Sequence, residues 1–235
     1  MEVVFLGVND VGMQIYEWLC RRDGVDVRAM LTEPEQLDLV RRHDPDLLVS
    51  VGFDHLVPSD ILEIPARGAL NLHPSYLPYN RGKSPNVWPL VEGTPAGVTL
   101  HFMDAEFDTG DIVARREVET AFSDTGKDLH ERLETAQFDL FTEVWPDVES
   151  GDIERTPQED VGAYHSTDDF LDLCDLDPDA EVRVVDFLNR LRALTFPPFD
   201  NAQIEVGGET YYVDVEIREA SEEDGETTEG LLSSY

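Results

Sequence analysis

Up to about residue 145 the chain alternates short apolar runs with amphipathic stretches, and few architectures accept that alternation. Strand-like segments cover 3–6, 25–31, 47–51, 69–72, 98–103 and 111–117. Helical patterns lie between several of them. One spans 11–22 with Val11, Ile15, Trp18 and Leu19 on one face, a shorter one 34–43, and a third 85–92, where Pro85 suits a first turn. A longer helix opens at Thr125 and runs to about Trp145, with Leu129, Leu133, Ala136, Phe138 and Phe141 at its apolar positions. Strands alternating with helices predict an α/β fold with a mostly parallel sheet.

Beyond that unit the pattern changes. Residues 151–179 are polar and broken by Pro157, Gly162 and Pro178, and they are expected to form an irregular linker between a first unit (1–150) and a small C-terminal one (180–218). The small unit reads as a helix over 180–194 followed by a hairpin, 202–206 and 210–217, around Gly207-Gly208. Residues 219–235, rich in Glu, Ser, Thr and Gly, are expected to be an acidic disordered tail.

Charge narrows the setting more than the chemistry. The 235 residues carry 51 acidic and 17 basic side chains, a formal net charge of −34, and only Lys83 and Lys127 are lysines. Such a charge repels itself in dilute buffer and is tamed at high salt, where the Debye length falls to about 3 Å at 1 M. Because the acids are scattered along the whole chain, they suggest a high-salt cytoplasm, as in a halophilic microbe, more than a dedicated cation or basic partner. No basic stripe is present to neutralise nucleic-acid phosphates. No apolar run reaches the roughly 18–20 residues of a membrane helix. The chain opens on a strand, so no signal peptide is expected, and Cys20 and Cys174 read as reduced thiols.

Several polar groups fall where an α/β sheet places ligands, at the carboxyl ends of strands. Asn71 and His73 are two apart at the end of the fourth strand and therefore point to one side. Asp108 opens Asp-Thr-Gly between two later strands. Amide, imidazole and carboxylate form an acyl-transfer set: a donor for a developing oxyanion, a proton carrier, and a group that orients the carrier. After His73, Pro74, Pro78 and Pro85 stiffen a loop that displays Tyr76, Tyr79, Asn80, Arg81, Lys83 and Asn86. A close Arg81/Lys83 pair in so acidic a chain suggests an anionic substrate such as a phosphate. The apolar strand 47–51 ends at Gly52 in a loop suited to a flat heterocycle. His101 could face either the cleft or solvent, whereas His43, His55, His130 and His165 lack any partner pattern and read as surface or helix residues. Gly7 to Gly12 is either a plain strand–helix turn or a ligand-facing loop; it fits neither a dinucleotide fingerprint nor a P-loop. No spacing argues for a catalytic metal.

Taken together, Asn71-Leu-His-Pro-Ser-Tyr-Leu-Pro-Tyr-Asn-Arg-Gly82, Gly97-Val-Thr-Leu-His101 and Phe107-Asp-Thr-Gly-Asp-Ile112 resemble the central signature of N10-formyltetrahydrofolate-dependent formyltransferases. The wording is most similar to enzymes that formylate an amine on a nucleotide-linked sugar, while methionyl-tRNA formyltransferases share the fold but carry a larger C-terminal barrel. The resemblance implies a Rossmann-like formyltransferase fold, with a mostly parallel sheet one βα unit shorter than usual and a small C-terminal helix and hairpin. It places the catalytic roles on Asn71, His73 and Asp108, and the folate pocket on Gly52, Phe53, Asp54, His55, Leu56, Val57 and Asp104. Tyr79, Asn80, Arg81, Lys83 and Asn86 would meet the acceptor amine, and the hairpin could serve a homodimer. A formyltetrahydrofolate hydrolase and a non-catalytic folate or nucleotide binder are the alternatives.

Overall fold

The computed structural model describes residues 1–7, 9–159 and 161–220. The chain begins with β1 (Glu2–Leu6), α1 (Asp10–Cys20), β2 (Asp26–Leu31), a 3-10 turn at Pro34–Gln36, α2 (Asp38–His43), β3 (Leu47–Ser50), α3 (Ser59–Leu62) and β4 (Ala69–His73). It continues through β5 (Arg81–Gly82), α4 (Trp88–Glu92), β6 (Gly97–Phe102), β7 (Ile112–Glu117) and α5 (Gly126–Ser150). The remainder holds β8 (Tyr164–His165), α6 (Thr167–Cys174), β9 (Asp175–Leu176), α7 (Val184–Leu194), β10 (Gln203–Val206) and β11 (Glu209–Tyr212).

Six strands form one sheet in the order β2-β1-β3-β4-β6-β7. The first four are mutually parallel, while β6 runs antiparallel to both β4 and β7. Both faces are covered, so the parallel strands read as continuous apolar runs whose residues divide by parity. Val3, Phe5, Leu47, Val49, Leu70 and Leu72 pack into the larger core with Ile15 of α1 and Leu133 and Phe141 of α5. Val4, Leu6, Leu48 and Ala69 meet Val40 and Ile61 on the other side. β2 is an edge of the sheet, and only the 3-10 turn and α2 separate it from β3. Gly7, at φ 120, is pressed so close to Val51 that an added Cβ would lie 1.8 Å from its carbonyl oxygen.

Several expectations need correction. Helix α4 starts at Trp88 and not at Pro85: Ser84 has φ 56 and Val87 N–H closes a turn onto Ser84 O, so the proline in the first helical turn is Pro89. Helix α5 passes through Pro146 to Ser150, because Trp145 and Val148 on either side are buried in the core, and it ends on Gly151 at φ 82. The stretch expected to be irregular contains α6, started by a capping box in which Ser166 and Asp169 satisfy each other's backbone N–H. Helix α7 begins four residues late, after a turn in which Ala180 N–H reaches Asp177 O. Its Leu191, Ala193 and Leu194 share the main core with α5. The hairpin forms around Gly207 and Gly208, both at positive φ as a type I′ turn requires, but β11 stops at Tyr212, short of 217. Of the expected acidic tail, residues 221–235 lie outside the described residues.

Candidate functional site

Strand pairing assembles the centre of the site. Asn71 lies opposite His101 across the β4–β6 pair, so both face the same side, and His73 closes β4 on that side as well. The alternative left open for His101 is thereby resolved: it is 1% exposed and points into the cluster. Its Nδ1 lies 2.7 Å from Phe102 O, which fixes the proton there in the neutral ring and leaves Nε2 to accept from Asn71 Nδ2 at 3.2 Å. One amide N–H of Asn71 is thus committed. The other faces Asp108 Oδ1 at 3.5 Å, long enough to be redirected to a substrate oxygen.

Asp108 is held by both its backbone and its side chain. Its φ of 58 lies in the left-handed region, which Asp tolerates better than most residues. Gln158 fastens this turn by donating from Nε2 to Asp108 O at 2.9 Å and to Gly110 O at 2.7 Å. The carboxylate accepts from Gly82 N–H at 3.0 Å through Oδ2 and faces His73 Nδ1 at 3.5 Å and His101 Nε2 at 3.7 Å through Oδ1. Burial alone would raise its pKa, but the two imidazoles and the Gly82 amide outweigh it and hold the carboxyl well below the usual carboxylate range. For His73 the balance is reversed. Burial lowers its pKa below the ordinary 6.5, with Asp108 opposing and His101 adding to the shift. A neutral His73 with Nδ1–H aimed at Asp108 leaves Nε2 as a bare lone pair, and Nε2 is indeed buried without a partner.

These groups line one wall of a cleft of about 330 Å³. Its other walls include every residue expected in the folate loop: Gly52, Phe53, Asp54, His55, Leu56 and Val57, together with Asp104. The loop expected to meet the acceptor divides. Lys83 lines the cleft and pairs across its mouth with Asp54 at 2.8 Å, and Arg81 lines an adjoining hollow. Tyr79, Asn80 and Asn86 line neither, contrary to expectation. Asn80, 1% exposed and at φ 53, donates to Thr94 Oγ1, and Asn86 donates to Gly126 O at the start of α5. Their amides hold the loop in shape. His165 is another correction: far from the surface, it is stacked on Trp88 with ring centroids 3.7 Å apart.

Other lining residues carry no expected role, among them Ser50, Met103 and Tyr164, while Phe107 lines the cleft beside Asp108. Asn9 lines the cleft too while capping α1 through Gly12 N–H, so the turn after β1 does face the cleft. Tyr164 arrives from the expected linker because β8 pairs with β5, joining Arg81 N–H to Ala163 O and Lys83 N–H to His165 O. Among the described residues no group of three His, Cys, Asp or Glu is arranged to hold a metal ion.

This arrangement agrees with the chain's relatives. Residues 14–145 match the formyl transferase family, and residues 169–219 match the N-formyltransferase dimerization C-terminal domain. The chain belongs to the formyl transferase family. It is 37% identical over 128 residues to a methionyl-tRNA formyltransferase of Geobacter sulfurreducens, a match covering 54% of this chain and 40% of that protein. The chain therefore spans well under half the length of that relative. Its fold superposes on a 4-N formyltransferase from Francisella tularensis with a TM-score of 0.85 at 24% identity, over 93% of this chain and 98% of that one. The formyltransferase PseJ from Anoxybacillus kamchatkensis, solved with UDP-4,6-dideoxy-4-formamido-L-AltNAc and tetrahydrofolate, is 33% identical with a TM-score of 0.64, over 72% of this chain and 87% of that one.

Proposed function

We propose that the chain transfers a formyl group from N10-formyltetrahydrofolate to a primary amine on a nucleotide-linked amino sugar. The observation that carries this reading is the bare, buried Nε2 of His73, flanked by an available Asn71 N–H and backed by the ionised Asp108. The donor supplies an activated formyl carbon. Asn71 donates to the formyl oxygen as it gains charge, an interaction typically worth about 3–4 kcal/mol in such sites. His73 Nε2 takes the proton from the attacking amine and returns it to the departing N10 nitrogen, so that one C–N bond forms as the other breaks. Asp108 fixes the Nδ1–H tautomer and stabilises the transient imidazolium. Phe53, Leu56, Val57 and Met103 give the cleft an apolar lining with Asp104 at its rim, which fits a flat heterocycle.

A sugar-linked acceptor is supported by the ligand solved with the relative from Anoxybacillus and by the match to the dimerization domain, through which we infer a homodimer. The half-exposed Tyr211 and Tyr212 of β11 suit that role. Methionyl-tRNA is the second reading, favoured by the name of the Geobacter relative. A net charge of −34 opposes it, because phosphate contacts dominate nucleic-acid affinity. Formylation assays with UDP- and dTDP-linked 4-amino sugars, against methionyl-tRNA, test the choice: product from the sugars supports the reading, and product from the tRNA alone overturns it. The acidity itself fits a high-salt cytoplasm. Melting temperature should climb steeply with added KCl, whereas a flat response would refute that setting.

A further inference from the structure

The segment that carries Gln158 and Tyr164 reaches Asp108 from two sides. Upstream it is fixed to β7, where Ile112 and Thr156 exchange backbone hydrogen bonds of 2.8 and 2.9 Å, and Gln158 then grips the Asp108 turn. Downstream it lies along the loop at 79–86. Gly162, at φ 85, passes so close that an added Cβ would sit 2.4 Å from Pro78 O, and the β5–β8 pair follows. Gly82 of that pair donates its N–H to Asp108 Oδ2 at 3.0 Å, and a Cβ there would lie 2.3 Å from His165 O. The His165 side chain fixes this downstream end. Neighbouring residues on a strand point to opposite sides, so while Tyr164 lines the cleft, His165 turns away from it onto Trp88. The two rings lie 7° from parallel, and the residues are only 7% and 6% exposed. Trp88 also donates from Nε1 to Lys83 O at 2.8 Å, so one indole holds the loop by its N–H and the segment by its face. The stack carries the attachment. His165 Nε2 lies 3.3 Å from Glu92 Oε1 but out of hydrogen-bonding geometry, and among the described residues it has no hydrogen-bond partner.

We infer that His165 is a positioning residue for formyl transfer: its stack on Trp88 clamps the segment against β5 and so keeps the Gly82 N–H on the Asp108 carboxylate. The inference rests on the formyl-transfer reading above and extends it to a residue behind the cleft wall. Asp108 Oδ1 is turned to His73 and His101, Oδ2 is held by Gly82, and Gln158 holds the backbone behind them. Without the Gly82 contact the carboxylate is free to rotate, and its 3.5 Å approach to His73 Nδ1 lengthens. Asp108 orients the imidazole, so that slack lowers the share of molecules in which Nε2 is placed to take the amine proton. Losing one aromatic stack shifts such a balance by about tenfold at most.

The test compares His165→Leu, which fills the space without a ring, with His165→Phe, which restores the stack. Two quantities are measured on the full-length protein: kcat with a UDP-linked 4-amino sugar, and the titration of His73 followed by NMR of histidine-labelled protein. His73 faces Asp108 and His101 and feels Lys83, and of these three Asp108 alone raises its pKa, so a displaced carboxylate lets that titration slip to lower pH. His165→Leu should lower kcat by about fivefold to tenfold and shift the His73 titration downward, with tetrahydrofolate affinity near wild type. His165→Phe should stay within about twofold of wild type in kcat and leave the titration in place. A leucine variant that loses only melting temperature, with kcat and the His73 titration unchanged, overturns the inference and leaves the stack as packing. Equal losses in both variants overturn it as well, because the ring would then not be what matters. Where the leucine variant does not fold, the phenylalanine variant decides alone, and a shifted His73 titration there overturns the inference. A wild type that forms no product while the leucine variant still shifts the His73 titration refutes instead the formyl-transfer reading and leaves the clamp standing.

Discussion

The centre of the cleft and its rim are built in opposite ways. Asn71, His73 and His101 stand on the paired strands β4 and β6, and each polar contact there is made by another member of the cluster or by backbone. The rim is assembled from the loop at 79–86, the 52–57 loop and a strap around Gln158 and Tyr164, joined by the β5–β8 pair, the Gln158 contacts and the Lys83–Asp54 ion pair. In the proposed reaction, chemistry is tied to the central sheet, whereas recognition is tied to the loops around it. Substitutions at the centre should therefore affect turnover, and those at the rim should affect binding.

The largest expected effect is at the centre. His73→Ala or Asn71→Ala should lower kcat for formyl transfer by roughly 100- to 10,000-fold while tetrahydrofolate binding stays near wild type. Near-normal turnover by either variant would break the division between the regions. The same centre sets the pH response. Since burial lowers the pKa of His73, its base form persists below the ordinary 6.5, so kcat should hold as pH falls through 6.5 and decline only in more acid buffer. Asp108→Asn removes the charge that raises that pKa and should move the acid limb lower still. A limb at or above 6.5 in the wild type would contradict the neutral buried imidazole.

Gln158 tests the boundary between the two regions, because it belongs to the strap but holds the Asp108 turn. Gln158→Leu should reduce kcat by about tenfold to a hundredfold through misplacement of Asp108, with KM for the donor little changed. A change confined to KM would assign it to the rim instead. Lys83→Ala should have the smallest effect. Its pair with Asp54 is exposed and contributes little to stability, within about 1 kcal/mol. KM for one of the two substrates should rise a few-fold with kcat preserved, and the effect should fade at high salt.

The same contrast explains what the sequence could disclose. Asn71 and His73 were legible because period-two geometry puts them on one side wherever the strand lies, and the alternation of strands and helices foretold a mostly parallel sheet. His101 stayed open because its strand is buried on both faces, so alternation carried no direction. Asn80 and Asn86 carry the same local pattern as ligand contacts, yet their amides bond within the protein, since polar loop residues satisfy backbone and neighbours as readily as substrates. Tyr164 and Gln158 carried no local signal, since their roles exist only through pairing with residues some fifty to eighty positions away. The capping box of α6, by contrast, is a local signal in Ser166 and Asp169, masked only by the polar stretch around it.

The most direct test of the central claim is a crystal structure of the protein with 5-formyltetrahydrofolate and a UDP-linked 4-amino sugar. The account predicts the pterin against residues 52–57, and the N10 nitrogen and the sugar amine both beside His73 Nε2 and Asn71. Ligands that bind with N10 or the amine away from that pair of side chains would contradict it.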